Sequence, residues 1–241
     1  MAQHRNTFNQ PIGRPLPDWR PATHPGHVAM SGRYARLEPL DADRHSADLF
    51  AAYSTDTDGV IWTYNVNGPY TREADLRAWL SSINHVDAQP FFAIIDAGTG
   101  QATGIASYMR IKPDPGVIEV GSITFSPLLQ RSRVASEAMY LMMARVFNDL
   151  GYRRYEWKCD ALNAASRRAA ERLGFTFEGV FRQALVYKGR NRDTAWYSML
   201  DSEWPAIERA FQAWLDPENF DAVGAQKLRL GDLIAAGRGQ A

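Results

Sequence analysis

The chain holds one cysteine in 241 residues, Cys159, so an internal disulfide is excluded and a reducing, cytoplasmic setting is expected. Cys159 lies in an apolar-aromatic run, where a buried, inert thiol is the first reading and a nucleophile the second. No stretch of about 18 apolar residues occurs, which removes a membrane-spanning helix from consideration. The opening Met1-Ala2-Gln3-His4-Arg5-Asn6 has no apolar core, so a secretory leader is not expected. Neither sign of charge is in excess: 27 Lys and Arg face 27 Asp and Glu, which argues against wholesale nucleic-acid binding. Histidine is scarce and stops early. His4, His24, His27, His45 and His85 show no ligand spacing, and His24 and His27 flank Pro25-Gly26, so no metal centre is expected.

What is present is an ordinary globular composition, 45% apolar, with unevenly distributed charge. Between Asp41 and Gln89, eight acids meet only Arg44, Arg72 and Arg77; from Gly151 to Arg192, ten bases meet four acids. An acidic first half and a basic second half would suit a cationic amine meeting an anionic, phosphate-bearing cofactor. Residues 1–31 are rich in proline and read as an extended arm. Residues 32–204 read as the main domain, and residues 205–241 as a helical extension.

Within that domain the expected order is a strand at Arg33–Pro39, a helix capped by Asp41, and a helix from Arg72 capped by Thr71. A hairpin follows (Pro90–Asp96 and Ala102–Ile111), then a strand to Phe125, a helix to Leu150 closed by Gly151, and a strand at Arg154–Cys159. Asn163 opens a helix ended by Gly174. Two last strands flank a polar tip over Lys188–Asp193. This is a mixed α/β (α+β) sheet with helices on its faces.

The pivotal stretch is Phe125 to Ala138. Pro127 stops the strand, and a short basic loop with Gln130, Arg131 and Arg133 leads into a helix marked by Val134, Ala138, Leu141, Met142 and Val146. A strand, basic loop and helix N-terminus present free N–H groups that suit phosphate oxygens.

This stretch resembles the acetyl-CoA loop of the GNAT N-acetyltransferase superfamily, Gln/Arg-x-x-Gly-x-Gly/Ala, with Gln130 first and Ala135 last. Arg133 replaces the usual glycine, which is tolerable only at negative φ. Asn163-Ala164-Ala165-Ser166 with Arg172-Leu173-Gly174-Phe175 resembles a second signature of the superfamily. Glu119-Val120-Gly121 and Tyr197 to Trp204 look like its Rim-type branch, which includes ribosomal-protein N-terminal acetyltransferases. The resemblance spans roughly Gly32 to Trp204.

The resemblance implies a fold whose sheet splays ahead of Gln130, with acetyl-CoA in the opening as co-substrate. Ile123, Thr124 and Phe125 would line its pantetheine arm. Gln130, Arg131, Ser132, Arg133, Val134, Ala135 and Ser136 would hold its pyrophosphate, with Asn163 and Ser166 nearby. The tyrosine acid of many relatives is absent, since its position is Ala170. Ser166 is the replacement acid or a second capping hydroxyl; Glu119 is the base or half of a salt bridge with Arg154 or Lys158. Glu137 is expected to orient the loop. The implied partner is a primary amine, a protein N-terminus or a small molecule, with a second copy of the chain a further candidate. Two readings from other classes stay open: a CoA or nucleotide sensor without turnover, and a nucleic-acid binder using the basic run from Arg153 to Arg192.

Overall fold

The structure is a computed structural model describing residues 4–84 and 86–239; Met1 to Gln3, His85, Gln240 and Ala241 lie outside the described residues. Two short strands, β1 (His4–Arg5) and β2 (Pro11–Ile12), form a small hairpin in the arm. The rest of the arm runs across the main sheet's end, with Ala22 N donating to Pro113 O and Thr23 N to Leu150 O.

The main sheet has eight strands: β3 (Met30–Ser31), β4 (Ala35–Pro39), β5 (Phe91–Asp96), β6 (Ala102–Lys112), β7 (Val117–Phe125), β8 (Arg154–Asp160), β9 (Thr176–Tyr187) and β10 (Arg190–Leu200). Their spatial order is β3-β4-β5-β6-β7-β8-β10-β9. β7 and β8 run parallel; the other neighbours run antiparallel. Helices α1 (Ala42–Tyr53), α2 (Glu73–Ile83), α3 (Arg133–Ala144), α4 (Ala164–Arg172), α5 (Trp204–Leu215) and α6 (Leu230–Arg238) cover it. The mixed α/β sheet expected from the element order is the fold observed.

The apolar patterning decides which faces are covered. α1 and α2 bury Leu49, Tyr53, Leu76 and Leu80 against Phe91, Ala93, Ile95 and Ile105, on one face of β5 and β6. On the other face, α3, α5 and α6 bury Met139, Met142, Ile207, Phe211 and Ile234 against Tyr155, Trp157 and Tyr197. Burying each such side chain contributes about 1.5–3 kcal/mol. The period-two pleat therefore sends Glu156, Lys158 and Asp160 of β8 to a face that carries no helix.

β7 carries an extra residue against β6: two steps from Ile105 to Ser107 face three from Thr124 to Gly121. Ser122 sits at φ 48, a left-handed backbone that a bulge accommodates. A second bulge, on β6, puts Arg110 at φ 47.

Local expectations were met at several helix ends. Asp41 accepts from Asp43 N and Arg44 N, and Gly151 and Gly174 lie at φ 76 and 96. Others need correction. Thr71 does not cap α2, whose N-cap is Arg72 with no side-chain bond. The central helix widens into a π turn over Arg145–Asp149 before Gly151. The β9–β10 tip is the two-residue turn Lys188-Gly189, at φ 47 and 69, so Arg190 to Asp193 belong to β10. Those polar residues read as loop because this end of the hairpin is uncovered.

Glu137 also differs from expectation. It does not touch the Gln130 loop; it reaches from α3 to the β3–β4 turn and accepts from Arg33 N, Tyr34 N and Ala35 N at 2.9, 2.5 and 2.7 Å. A Cβ at Gly32 would overlap this carboxyl, which is why the turn has glycine there. Charge-assisted bonds from three backbone donors make this buried carboxylate a fastener between helix and sheet. Replacing Glu137→Ala is expected to lower unfolding stability by about 3 kcal/mol, because three N–H groups lose their acceptor. Urea unfolding measures this; a loss below about 1 kcal/mol would contradict the assignment.

Candidate active site

Pairing between β7 and β8 ends at Val120–Trp157, although β7 continues to Phe125 and β8 to Asp160. The bulge at Ser122 turns the end of β7 away, so Gly121 to Phe125 present one backbone edge to no strand. Ile123 and Phe125 lean on the α3-side core. Thr124 faces the other side, its carbonyl accepting from Tyr53 Oη at 3.3 Å and its hydroxyl from Asn65 Nδ2 at 3.4 Å. A cavity of about 1720 Å³ passes through the opening. Ordinary small-ligand sites are about 300–1,000 Å³, so this one has room for two reactants.

One end of the cavity is the loop before α3. Leu129 anchors it by packing over Gly104 of β6, where a Cβ would meet Leu129 Cδ2 at 2.6 Å. Gln130 Nε2 donates to Phe125 O at 3.0 Å, and Ser132 Oγ caps α3 by accepting from Ala135 N at 3.0 Å. The N–H groups of Arg131, Arg133 and Val134 have no acceptor among the described residues. They are orphan donors at the positive end of a helix.

Arg133 keeps ordinary backbone, and the left-handed position is Arg131 at φ 57. The Arg133 guanidinium lies 4.9 Å from the Tyr34 ring centroid and 4.7 Å from that of Phe220. The side chain in the glycine position is thus drawn aside, and α3's first amides stay open. Ser136 is buried and accepts from Arg172 at 3.1 Å. Arg172 lies 5.0 Å from the Trp214 ring, and burial pushes its guanidinium below its ordinary range. Among the described residues it has no carboxylate partner, and it lines the cavity beside Ser132 and Ser136.

The middle of the cavity holds Asn163 and Ser166. Asn163 Oδ1 accepts from Ser166 N at 3.0 Å, a helix cap. Ser166 Oγ accepts from Trp157 Nε1 at 3.0 Å. Indole can only donate, so the serine hydroxyl keeps its own proton free to give. Cys159 lines the same cavity, and burial pushes its thiol up. Ala170 is fully buried, so no phenol reaches the site from that position.

The other end opens onto the helix-free face. Glu119 is buried there, accepting from Arg110 Nη1 on both oxygens at 2.8 and 2.7 Å and pairing with Lys158 Nζ at 2.7 Å. Lys158 also pairs with Glu156 at 2.7 Å, and Glu156 with Arg154. Burial works to raise the Glu156 pKa, but its Lys158 and Arg154 bonds prevail and hold it below its ordinary value. Of the two expected partners, Lys158 takes Glu119; Arg154 takes Glu156 and Glu178.

The acidic first half does not face this cleft, contrary to the expectation from charge distribution. Asp41 caps α1, Asp43 pairs with Arg77, Asp48 accepts from Ala102 N, and Asp75 pairs with Arg72. Of the eight acids, Asp56 alone lines the cavity, bound to Ile61 N. Missed in the sequence were Arg172, Trp157, and the β10 residues Arg192, Thr194 and Trp196. Arg172 stood inside the basic run, and its lack of an acid partner is visible only in three dimensions.

Strand opening, loop amides and arginines together form an extended slot for an anionic ligand. The acetyltransferase (GNAT) domain family matches residues 35–176. The chain belongs to this family. A crystal structure of a GCN5-related N-acetyltransferase from Brucella melitensis is similar, at 50% identity and a TM-score of 0.89, over 91% of this chain and 100% of that one. An uncharacterized N-acetyltransferase of Bacillus subtilis strain 168, YnaD, is 25% identical over 157 residues, 65% of this chain and 90% of its own. RimL, a ribosomal-protein α-N-acetyltransferase, shares the fold at 19% identity and a TM-score of 0.61, over 72% of this chain and 94% of its own. GNAT proteins transfer acetyl from acetyl-CoA, and the slot described here suits that ligand's phosphates and extended arm. The sensor and nucleic-acid readings lose ground accordingly. Among the described residues no cluster of three metal-ligating side chains occurs.

Arg172→Ala is expected to raise the Kd for CoA about tenfold or more, by loss of a buried charge-assisted contact. Isothermal calorimetry at fixed salt measures it, and an unchanged Kd would contradict the phosphate role.

Proposed function

We propose that this GNAT protein transfers acetyl from acetyl-CoA to a primary amine by direct attack on the thioester, with Ser166 as the proton donor to sulfur. The observation that carries this reading is the Ser166 hydroxyl, held by the Trp157 indole beside the opening between β7 and β8. Acetyl-CoA supplies an activated carbonyl. Everything else falls to the chain.

The orphan amides of Arg131, Arg133 and Val134 and the charge of the two arginines hold the diphosphate, Gln130, Ser132, Ala135 and Ser136 shape the loop that presents them, and Arg172 adds to them. Ile123, Thr124 and Phe125 pair with the pantetheine arm along the free edge of β7, as an added strand would. The N–H groups of that edge polarise the carbonyl. Asn163 holds Ser166 at the first turn of α4. The amine nitrogen forms the new C–N bond as the C–S bond breaks. One proton leaves nitrogen and one reaches sulfur from Ser166, the two re-equilibrating through water.

Glu119 is the base in this scheme. Three hydrogen bonds occupy its four acceptor sites, leaving Oε1 one lone pair for a water. Holding two reactants in register supplies the larger share of the barrier reduction, up to about 7–11 kcal/mol in well-oriented systems. The similarity to ribosomal-protein acetyltransferases is one of fold, so a Rim-type acceptor draws no support beyond the shared motif residues.

Incubation with acetyl-CoA and a panel of amines, following free thiol, tests the activity. Turnover with at least one primary amine is expected. Tight binding without thiol release would favour the sensor reading. Ser166→Ala is expected to lower kcat about 10²-fold while the Kd for acetyl-CoA stays within about threefold. An unaltered kcat would remove Ser166 from the mechanism.

A further inference from the structure

The acceptor end of the cavity carries a stripe that the acetyl-transfer scheme does not use. Arg192, Thr194 and Trp196 alternate along β10, so they share one face of the strand, and all three line the cavity. Each holds a buried polar atom without a hydrogen-bond partner among the described residues: Arg192 Nε, Thr194 Oγ1 and Trp196 Nε1. Thr194 is 5% exposed. A buried polar group left unpaired is costly, and native structures contain few. Three on one stripe of a ligand cavity mark a place where something else supplies the partners.

The stripe is rigid. The Trp196 ring stacks on Phe181 at 4.4 Å, and Lys158 Nζ lies 3.7 Å from its centroid on the cation-bearing face of the sheet. Arg192 lies 5.8 Å from the Tyr187 ring centroid and makes no ion pair among the described residues.

The surrounding charge has the same sense. Lys188 Nζ donates to Trp62 O and Asn67 O, and Arg190 to Thr63 O, so two more cations at this rim are met by carbonyls, not carboxylates. The acids nearby are engaged. Asp160, cross-strand from Thr194, accepts from Tyr187 Oη at 2.8 Å and Leu162 N at 2.9 Å. Glu119 and Glu156 are held by Arg110, Lys158 and Arg154. No carboxylate among the described residues pairs with Arg192.

We infer that the acceptor amine carries a carboxylate, and that Arg192, Thr194 and Trp196 bind it. Donors from guanidinium, hydroxyl and indole N–H complement an acceptor-only group, and Arg192 supplies the opposite charge. The substrate class is then an amino acid or another small amine bearing a carboxylate, in place of a polyamine or aminoglycoside. The inference rests on the acetyl-transfer reading above and narrows it.

The test titrates the CoA-loaded protein calorimetrically with N-acetylated amino acids and with their carboxamides, and follows thiol release from acetyl-CoA with the matching free amines. Free acids are expected to bind, and to turn over in kcat/KM, about 10- to 100-fold better than amides. Arg192→Ala should bring that ratio close to one, and Arg192→Lys should recover part of it. Amides equal to or better than acids, or a ratio unchanged in Arg192→Ala, would overturn the inference. If the variants do not fold, the wild-type ratio decides alone. Heat with acetyl-CoA but indifference to the carboxylate overturns this inference only; no heat with acetyl-CoA overturns the acetyl-transfer reading as well.

Discussion

Everything in the site follows from two parallel strands that stop pairing before they end. β7 and β8 are joined as far as Val120 and Trp157, and each then runs on alone. A sheet interior does not leave strand edges bare without cause, because each unpaired backbone group is an open obligation. The cause here is one extra residue in β7, with Ser122 in left-handed backbone, which bends the strand end towards β6 and away from β8. The bend opens a slot, exposes an edge that an extended ligand can pair with, and leads through Pro127 into the loop whose orphan amides would meet the proposed ligand's phosphates.

The same opening joins the two faces of the sheet. On the α3 side lie the loop, Arg172, Asn163 and Ser166, a polar rim around an apolar core. On the other side α1 and α2 stop at β6, and the pleat of β7, β8 and β10 presents an ion-pair ladder from Arg110 through Glu119, Lys158 and Glu156 to Arg154 and Glu178. Buried charges on this scale are costly unless paired, and these are paired throughout. The ladder stiffens the helix-free face without a hydrophobic cover. The stripe on β10 holds three polar atoms that the ladder does not partner, and the proposed acceptor carboxylate would meet them there.

How much of this was legible depended on range. Asn163, Gly151 and Gly174 act within one turn of themselves, so their roles could be read from neighbours in sequence. The strand–loop–helix around Gln130 was equally local, and the resemblance it carries covers most of the domain. The bulge was not legible, since no glycine marks the left-handed residue at Ser122. Nor was the fate of the acids: Asp43 meets Arg77 and Asp48 meets Ala102 only after folding brings α1 against its neighbours. Charge segregation along the chain therefore misled about the cleft. Glu137 misled for a similar reason, sitting one turn from the loop in sequence and bonding a turn about a hundred residues away. The β9–β10 tip was set too wide because exposed strands tolerate polar residues that, by composition, read as loop.

Amide hydrogen exchange across β7, with and without saturating CoA, tests whether the ligand lies between the parted strands. Those amides between Gly121 and Phe125 that point away from β6 are expected to exchange readily in the free protein and to become protected on CoA binding, together with those of Arg131, Arg133 and Val134. If CoA binds with measurable heat while exchange at Gly121 to Phe125 stays unchanged, the parted strands are not where the ligand lies.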